Sequence, residues 1–244
     1  MLGQFRFETD TFYGNVDGSE VYAMGDFEGR SFDLKELEIL PPTKPSKIIC
    51  VGLNYADHAK ELDMEIPSEP VIFMKPASSI IGHLQKIVYP PISKQVDFEG
   101  ELAVVIGKRC KNIVAEKADD VIAGYTCFND ITARDLQKRD GQWTRAKSFD
   151  TFAPIGPFIA PADDFDPSDA KISTRVNRNL CQDSSTSNLI SGIPFLIEFV
   201  SQIMTLEIGD VIATGTPPGV GELKVGDSVE VEIEGIGKLV NEVV

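Results

Sequence analysis

Hydrophobic positions along this chain alternate with polar ones or gather in short runs, a pattern that predicts strands far more often than helices. Phe12, Tyr13 and Val16 lead to Asp17-Gly18 and on to Val21, Tyr22 and Met24, which reads as a hairpin with a suitable turn dipeptide. Pro41, Pro42 and Pro45 then break any regular element. Residues 1–45 are therefore expected to form a small N-terminal β domain and residues 46–244 the main one. In the main part, residues 48–51, 71–74, 124–128, 154–159, 171–176 and 211–214 are apolar runs of strand length. Val229, Val231 and Ile233 alternate cleanly, and a Gly235-Ile236-Gly237 turn leads to a last strand over 239–244. Helical spacing is rarer. It predicts a helix over 191–204, with Pro194 near its start and Ile193, Leu196, Ile197, Val200, Ile203 and Met204 in one core-facing stripe. Shorter helices are expected over 115–123 and 132–138, and a helical turn over 55–62 with Asn54 placed to cap it. Many short strands around few helices predict an α+β, mostly β fold and argue against a doubly wound nucleotide-binding sheet.

One stretch resists the pattern. Residues 97–107, DFEGELAVVIG, read as one strand in which Asp97, Glu99 and Glu101 share a face with Ala103 and Val105. Like charges at that spacing repel, and drying a carboxylate costs several kcal/mol unless a partner is present. A bound cation would be such a partner.

Charge narrows the choice of ligand. With 23 Lys+Arg against 38 Asp+Glu the net charge is −15, a field that opposes nucleic acid and anionic membranes. An anionic substrate would need a locally cationic site. Cys50, Cys110, Cys127 and Cys181 are scattered without a CxxC pair, as expected of core residues in a reducing cytosol. The first residues lack the basic and apolar regions of a signal peptide, and apolar runs fall short of the roughly 20 residues of a membrane span, so a soluble, cytoplasmic protein is expected. The length of 244 residues suits one large core with a small appendage, which needs no disulfide staples.

Candidate chemistry follows from spacing. On a helical turn His58 and Glu61 face the same way, either as a surface ion pair or as a general base whose tautomer the carboxylate fixes. Asp130, at the end of a strand, is placed either to cap the next helix or to meet ligands from a neighbouring strand. Taken together, Glu99, Glu101 and Asp130 would suit a hard divalent cation such as magnesium or manganese, the alternative being surface glutamates and a helix cap. Zinc is disfavoured, because the chain has only His58 and His83 and no paired cysteines. The loop TGTPPGVG, residues 214–221, lacks the lysine of a P-loop and the GxGxxG spacing, which leaves a plain turn open as its reading.

VGLNYADHAKE, DFEGELAVVIG, GYTCFNDITARDLQ, AKSFD and TGTPPGVG, in that order and approximate spacing, resemble the fumarylacetoacetate hydrolase family. The resemblance spans roughly residues 46–244 and is greatest to the short branch holding acylpyruvate hydrolases, oxaloacetate decarboxylases or tautomerases, and isomerases of hydroxylated dienedioates. It implies a mixed β-sandwich roll around a metal site, and a homodimer. By resemblance Glu99, Glu101 and Asp130 become Mg2+ or Mn2+ ligands, and His58 with Glu61 a lid dyad that activates water or relays a proton. Lys147 becomes the contact to a substrate carboxylate or keto oxygen, with Arg134, Gln137 and Thr216 as polar substrate contacts. Asp97 gains no such role and is expected in an outer shell or facing solvent. The activity implied is divalent-metal-dependent cleavage of a small 2,4-dioxo or 2-oxo dicarboxylic acid, by acylpyruvate hydrolysis or oxaloacetate decarboxylation through an enolate. Isomerisation or tautomerisation is the second enzymatic outcome, and non-catalytic binding of a metal or carboxylate the alternative of another class.

Overall fold

A computed structural model of the chain describes residues 1–61 and 63–244; Leu62, within the turn expected over 55–62, lies outside the described residues. Strands dominate because most apolar runs are too short and too β-branched to make helices. The largest sheet runs from Ser31–Asp33 through Glu20–Ala23, Asp10–Asp17, Leu2–Phe7, Ala153–Pro161, Ile122–Asn129, Gly100–Ile106, Val211–Ala213 and Ile48–Gly52 to Val71–Lys75. A second sheet orders Asn179–Ser185, Lys171–Val176, Ser228–Ile233, Gly237–Val243 and Lys86–Ile87, and a third, small one sets Val96–Phe98 between Thr132–Ala133 and Gly221–Leu223. Four α-helices complete the described residues: α1 (Ala56–Glu61), α2 (Arg134–Asp140), α3 (Thr144–Lys147) and α4 (Ile193–Ile203).

The strand Gly100–Ile106 is buried on both faces, which is why it reads as a continuous apolar run after its glutamate. Leu102, Val104 and Ile106 pack with Ile172, Val231, Ile233 and Leu239 of the second sheet and with Ile193, Leu196, Ile197 and Val200 of α4. Ala103 faces the other way, into a core of Ile48, Cys50, Phe128, Ile155 and Val211. The N-terminal strands enclose an aromatic cluster of Phe5, Phe12, Phe32 and Phe158, and Arg30 lies over the Phe27 and Phe32 rings. They join the large sheet where Leu2 pairs with Ile159. Among the described residues no helix is long and apolar enough to cross a membrane.

Several expected elements are corrected. Residues 97–107 do not run as one strand: the chain leaves the small sheet at Phe98 and enters the large one at Gly100, with Glu99 at the crossing. Instead of a helix, residues 115–123 hold two 3-10 turns, Ala115–Lys117 and Asp119–Val121, because Ile122 is already drawn into a strand by pairing with Ile106. Thr132 and Ala133 are extended, paired with Asp97 and Val96, so the following helix begins only at Arg134. The first hairpin turns at Gly18-Ser19, one residue later than expected, with Asp17 opposite Glu20. In α4 one member of the expected stripe departs from it: Ile203 is exposed, while Met204, just past the helix, packs against the core. Asn54 does not cap α1, since its side chain is committed to Ser191 N, Ser191 O and Thr214 O at 2.8, 3.0 and 2.8 Å.

Candidate metal centre

The change of sheet at Glu99 builds the site. Glu99 N donates to Asn129 Oδ1 at 3.0 Å, Asp130 N donates to Glu99 O at 2.8 Å, and Gly100 pairs with Asn129. These contacts bring the end of the Ile122–Asn129 strand against the start of the Gly100–Ile106 strand. Glu99, Glu101 and Asp130 each offer a carboxylate oxygen, and the three oxygens lie within 4.8 Å of one another; all three residues are buried.

Three cations answer this charge. Lys147, the last residue of α3, places Nζ 2.9 Å from Glu99 Oε2 and 2.5 Å from Asp130 Oδ2. Lys75, at the end of the Val71–Lys75 strand, pairs with Asp130 Oδ1 and donates to Ile131 O at 2.9 Å. Arg134, the first residue of α2, pairs with Glu99 Oε1 and donates to Asp97 Oδ2 at 2.8 Å and to Gln137 Oε1 at 2.6 Å. Burial alone would lift the Glu99 carboxyl, but Lys147 and Arg134 outweigh it and hold the group well below the usual carboxylate range. Burial likewise works against the charge on Lys147, yet Asp130 and Glu99 raise it above an ordinary lysine. At Lys75 burial prevails, and its value is lowered despite Asp130.

Glu101 is the carboxylate left without a cation of its own. Its Oε2 accepts from Gly215 N at 2.9 Å, and burial, then Asp130 and Glu99, push its carboxyl well up. The Tyr55 hydroxyl, buried without a partner, feels the same charge. Three convergent carboxylates, one of them uncompensated, fit a hard divalent cation held by Glu99, Glu101 and Asp130. Asp130 is thus no helix cap.

The glycine-rich loop after the Val211–Ala213 strand is more than a turn, because it links this cluster to the histidine dyad. Gly215 N holds Glu101, while Gly219 N donates to Glu61 Oε1 at 3.2 Å. Glu61 Oε2 lies 2.8 Å from His58 Nδ1, so the expected pair on α1 is formed. A carboxylate there requires a proton on Nδ1 and leaves the Nε2 lone pair free. The neighbouring Asp57 accepts from Ser184 Oγ at 2.6 Å, which docks α1 onto the second sheet. Thr216 Oγ1 donates to Gly100 O at 2.9 Å, between the two glutamates in sequence.

The structure therefore brings together Glu99, Glu101, Asp130, Lys147, Arg134, Gln137 and Thr216, and connects His58 and Glu61 to them through the 214–219 loop. One cation escaped sequence reasoning. Lys75 ends an apolar strand ahead of Pro76, and spacing carries no sign that Asp130 is its partner. Of the two places expected for Asp97 the structure shows the outer shell: it is buried and orients Arg134, which in turn pairs with Glu99.

Comparison with known proteins shows what the chain resembles. The model of a family described as fumarylacetoacetate (FAA) hydrolase, C-terminal, matches residues 47–244. A rat protein named oxaloacetate tautomerase Fahd2a, mitochondrial, is 48% identical over 215 residues, 84% of this chain and 69% of its own length. The crystal structure of 5-carboxymethyl-2-hydroxymuconate delta-isomerase from Mycobacterium smegmatis superposes with a TM-score of 0.93 at 45% identity, covering 100% of this chain and 98% of that one. Maleylpyruvate hydrolase from Sphingobium sp. SYK-6, solved in complex with manganese(II) ion and pyruvate, gives a TM-score of 0.86 at 30% identity over 100% and 98%.

Proposed function

Because the chain belongs to the fumarylacetoacetate hydrolase family, we propose that it is a divalent-cation-dependent enzyme that interconverts the keto and enol forms of a small 2-oxo dicarboxylic acid of the oxaloacetate type. The observation that carries the reading is the nest of Glu99, Glu101 and Asp130 lined by Lys147 and Arg134, joined by one loop to His58 and Glu61. Held by the three carboxylates, Mg2+ or Mn2+ would polarise a keto oxygen as a Lewis acid and offset charge developing on it. Lys147 and Arg134 supply the local positive charge that an anionic acid needs inside a chain of net charge −15. Asp97 and Gln137 keep the Arg134 plane oriented. His58, with Nδ1 committed to Glu61, takes a proton at Nε2 and returns it, so that the hydroxyl proton of an enol is lost and the adjacent carbon gains one.

Identity of 48% to a protein named as a tautomerase and 45% to one named as an isomerase supports proton transfer ahead of cleavage. Cleavage, the outcome placed first by sequence, is the second reading. It is favoured by the same dyad, which can equally deprotonate a water, and by the likeness to a maleylpyruvate hydrolase. One assay separates them. With Mg2+ present, oxaloacetate, acetylpyruvate and fumarylpyruvate are followed by ultraviolet absorbance for the enol, alongside release of carbon dioxide and of the cleaved acid. Loss of enol absorbance that stops on chelation, with no fragment released, is expected for oxaloacetate. Enol decay no faster than in buffer would sink the proposal, and metal-dependent fragment release would establish the second reading.

A further inference from the structure

Gln182 lies on the Asn179–Ser185 strand and is wholly buried, while its neighbours Cys181 and Asp183 are exposed. Its amide closes a ring of hydrogen bonds around Gly100, the residue between the two glutamates. Oε1 accepts from Gly100 N at 3.0 Å; Nε2 donates to Thr216 Oγ1 and to Pro217 O, both at 2.8 Å; and Thr216 Oγ1 returns to Gly100 O at 2.9 Å. The direction of every bond is fixed by its partner, since a backbone N–H can only donate and a carbonyl can only accept. Gly100 stands between Glu99 and Glu101, and a side chain there would collide with Thr174 and crowd Gln182 and Val231. The residue between the two glutamates is thus held, on both its N–H and its C=O, by one side chain and the loop it holds.

We propose that Gln182 is a positioning residue for the metal and substrate site: it sets the Glu99/Glu101 spacing through Gly100, and by holding Thr216 and Pro217 it keeps the Thr216 hydroxyl on the carbonyl of that same residue. The assignment rests on the proposed function for the role of Thr216, but its first readout is metal affinity, which needs no turnover. Removing the amide in Gln182→Met takes away three bonds and should weaken Mn2+ binding to the metal-free protein about tenfold by calorimetry, the scale of one lost buried hydrogen bond. Gln182→Glu keeps an acceptor for Gly100 N–H and should restore Mn2+ affinity to within about threefold, while KM for the 2-oxo acid stays raised because the donor toward Thr216 is lost. Equal Mn2+ affinities in Gln182→Met and the unaltered protein, or equal losses in Gln182→Met and Gln182→Glu, would overturn the assignment.

Should Gln182→Met fail to fold, a double-mutant cycle decides with oxalate as the probe in the presence of Mn2+. Gln182→Glu and Thr216→Val should be non-additive, the second change adding less than about twofold to the first, because both break the same arm. Additive losses would refute the coupling. A protein that binds Mn2+ and oxalate but converts none of the acids would remove the proposed reaction and leave these comparisons standing.

Discussion

A histidine whose Nδ1 is taken by Glu61 has one nitrogen left for chemistry. His58→Ala should therefore slow enol–keto conversion by about 100-fold, the scale of positioned acid–base catalysis, with Mn2+ affinity unchanged by calorimetry. An unaltered rate would assign the dyad to docking of α1 alone. At this scale the sequence shows what is local. His58 and Glu61 are three residues apart, and Glu99 and Glu101 two, so spacing exposes them. What it conceals are partners distant along the chain: Lys75 and Asp130 are separated by 55 residues, Asp97 and Arg134 by 37, Gly100 and Gln182 by 82. Nothing in a buried lysine or glutamine, taken alone, says which backbone the fold will place beside it.

Among elements, apolar runs forecast most strands because burial is what a run records. Which sheet a strand joins is another matter. The crossing at Glu99 and the 3-10 turns before Ile122 follow from pairing with distant strands, so alternation alone extended one strand too far and wrote a helix where two turns lie. The parallel pairing of Ile48–Gly52 with Val211–Ala213 shows what such long-range contacts rest on. Buried Asp210, beside that strand, accepts from Ser46 N, Ser46 Oγ, Lys47 N and Glu207 N at 2.9, 2.7, 3.2 and 2.8 Å, and pairs with Lys47. Burial opposes its charge, but Lys47 and these donors hold its carboxyl below the usual aspartate value. Its contribution is therefore complete above the unfolded aspartate pKa and fades as pH falls through the lower folded value. Asp210→Ala should cost about 3 kcal/mol in urea unfolding at neutral pH, for loss of a buried, paired carboxylate. The gap to the unaltered protein should narrow below about pH 4; a gap independent of pH would show that packing, not charge, makes the latch.

Over the whole molecule, the charge of −15 and the cations lining the site would pull the proposed anionic acid in opposite directions, at different ranges. Far from the surface the repulsion prevails, because the net field outlasts that of a buried cluster whose ions compensate one another. Raising ionic strength from about 0.01 to 0.15 M shortens the Debye length from about 30 to 8 Å and should increase kcat/KM for a dianionic acid by about threefold in steady-state assays. A fall would mean that the site steers from a distance. At contact, on the proposed function, the placing of protons would add to the charge supplied by Lys147 and Arg134. The proton of Thr216 is spent on Gly100 O and one of its lone pairs on Gln182, so the oxygen has nothing left to give. A bare carboxylate or ketone finds no donor there, whereas a hydroxyl, such as that of an enol, finds an acceptor: whatever meets Thr216 has to bring its own hydrogen.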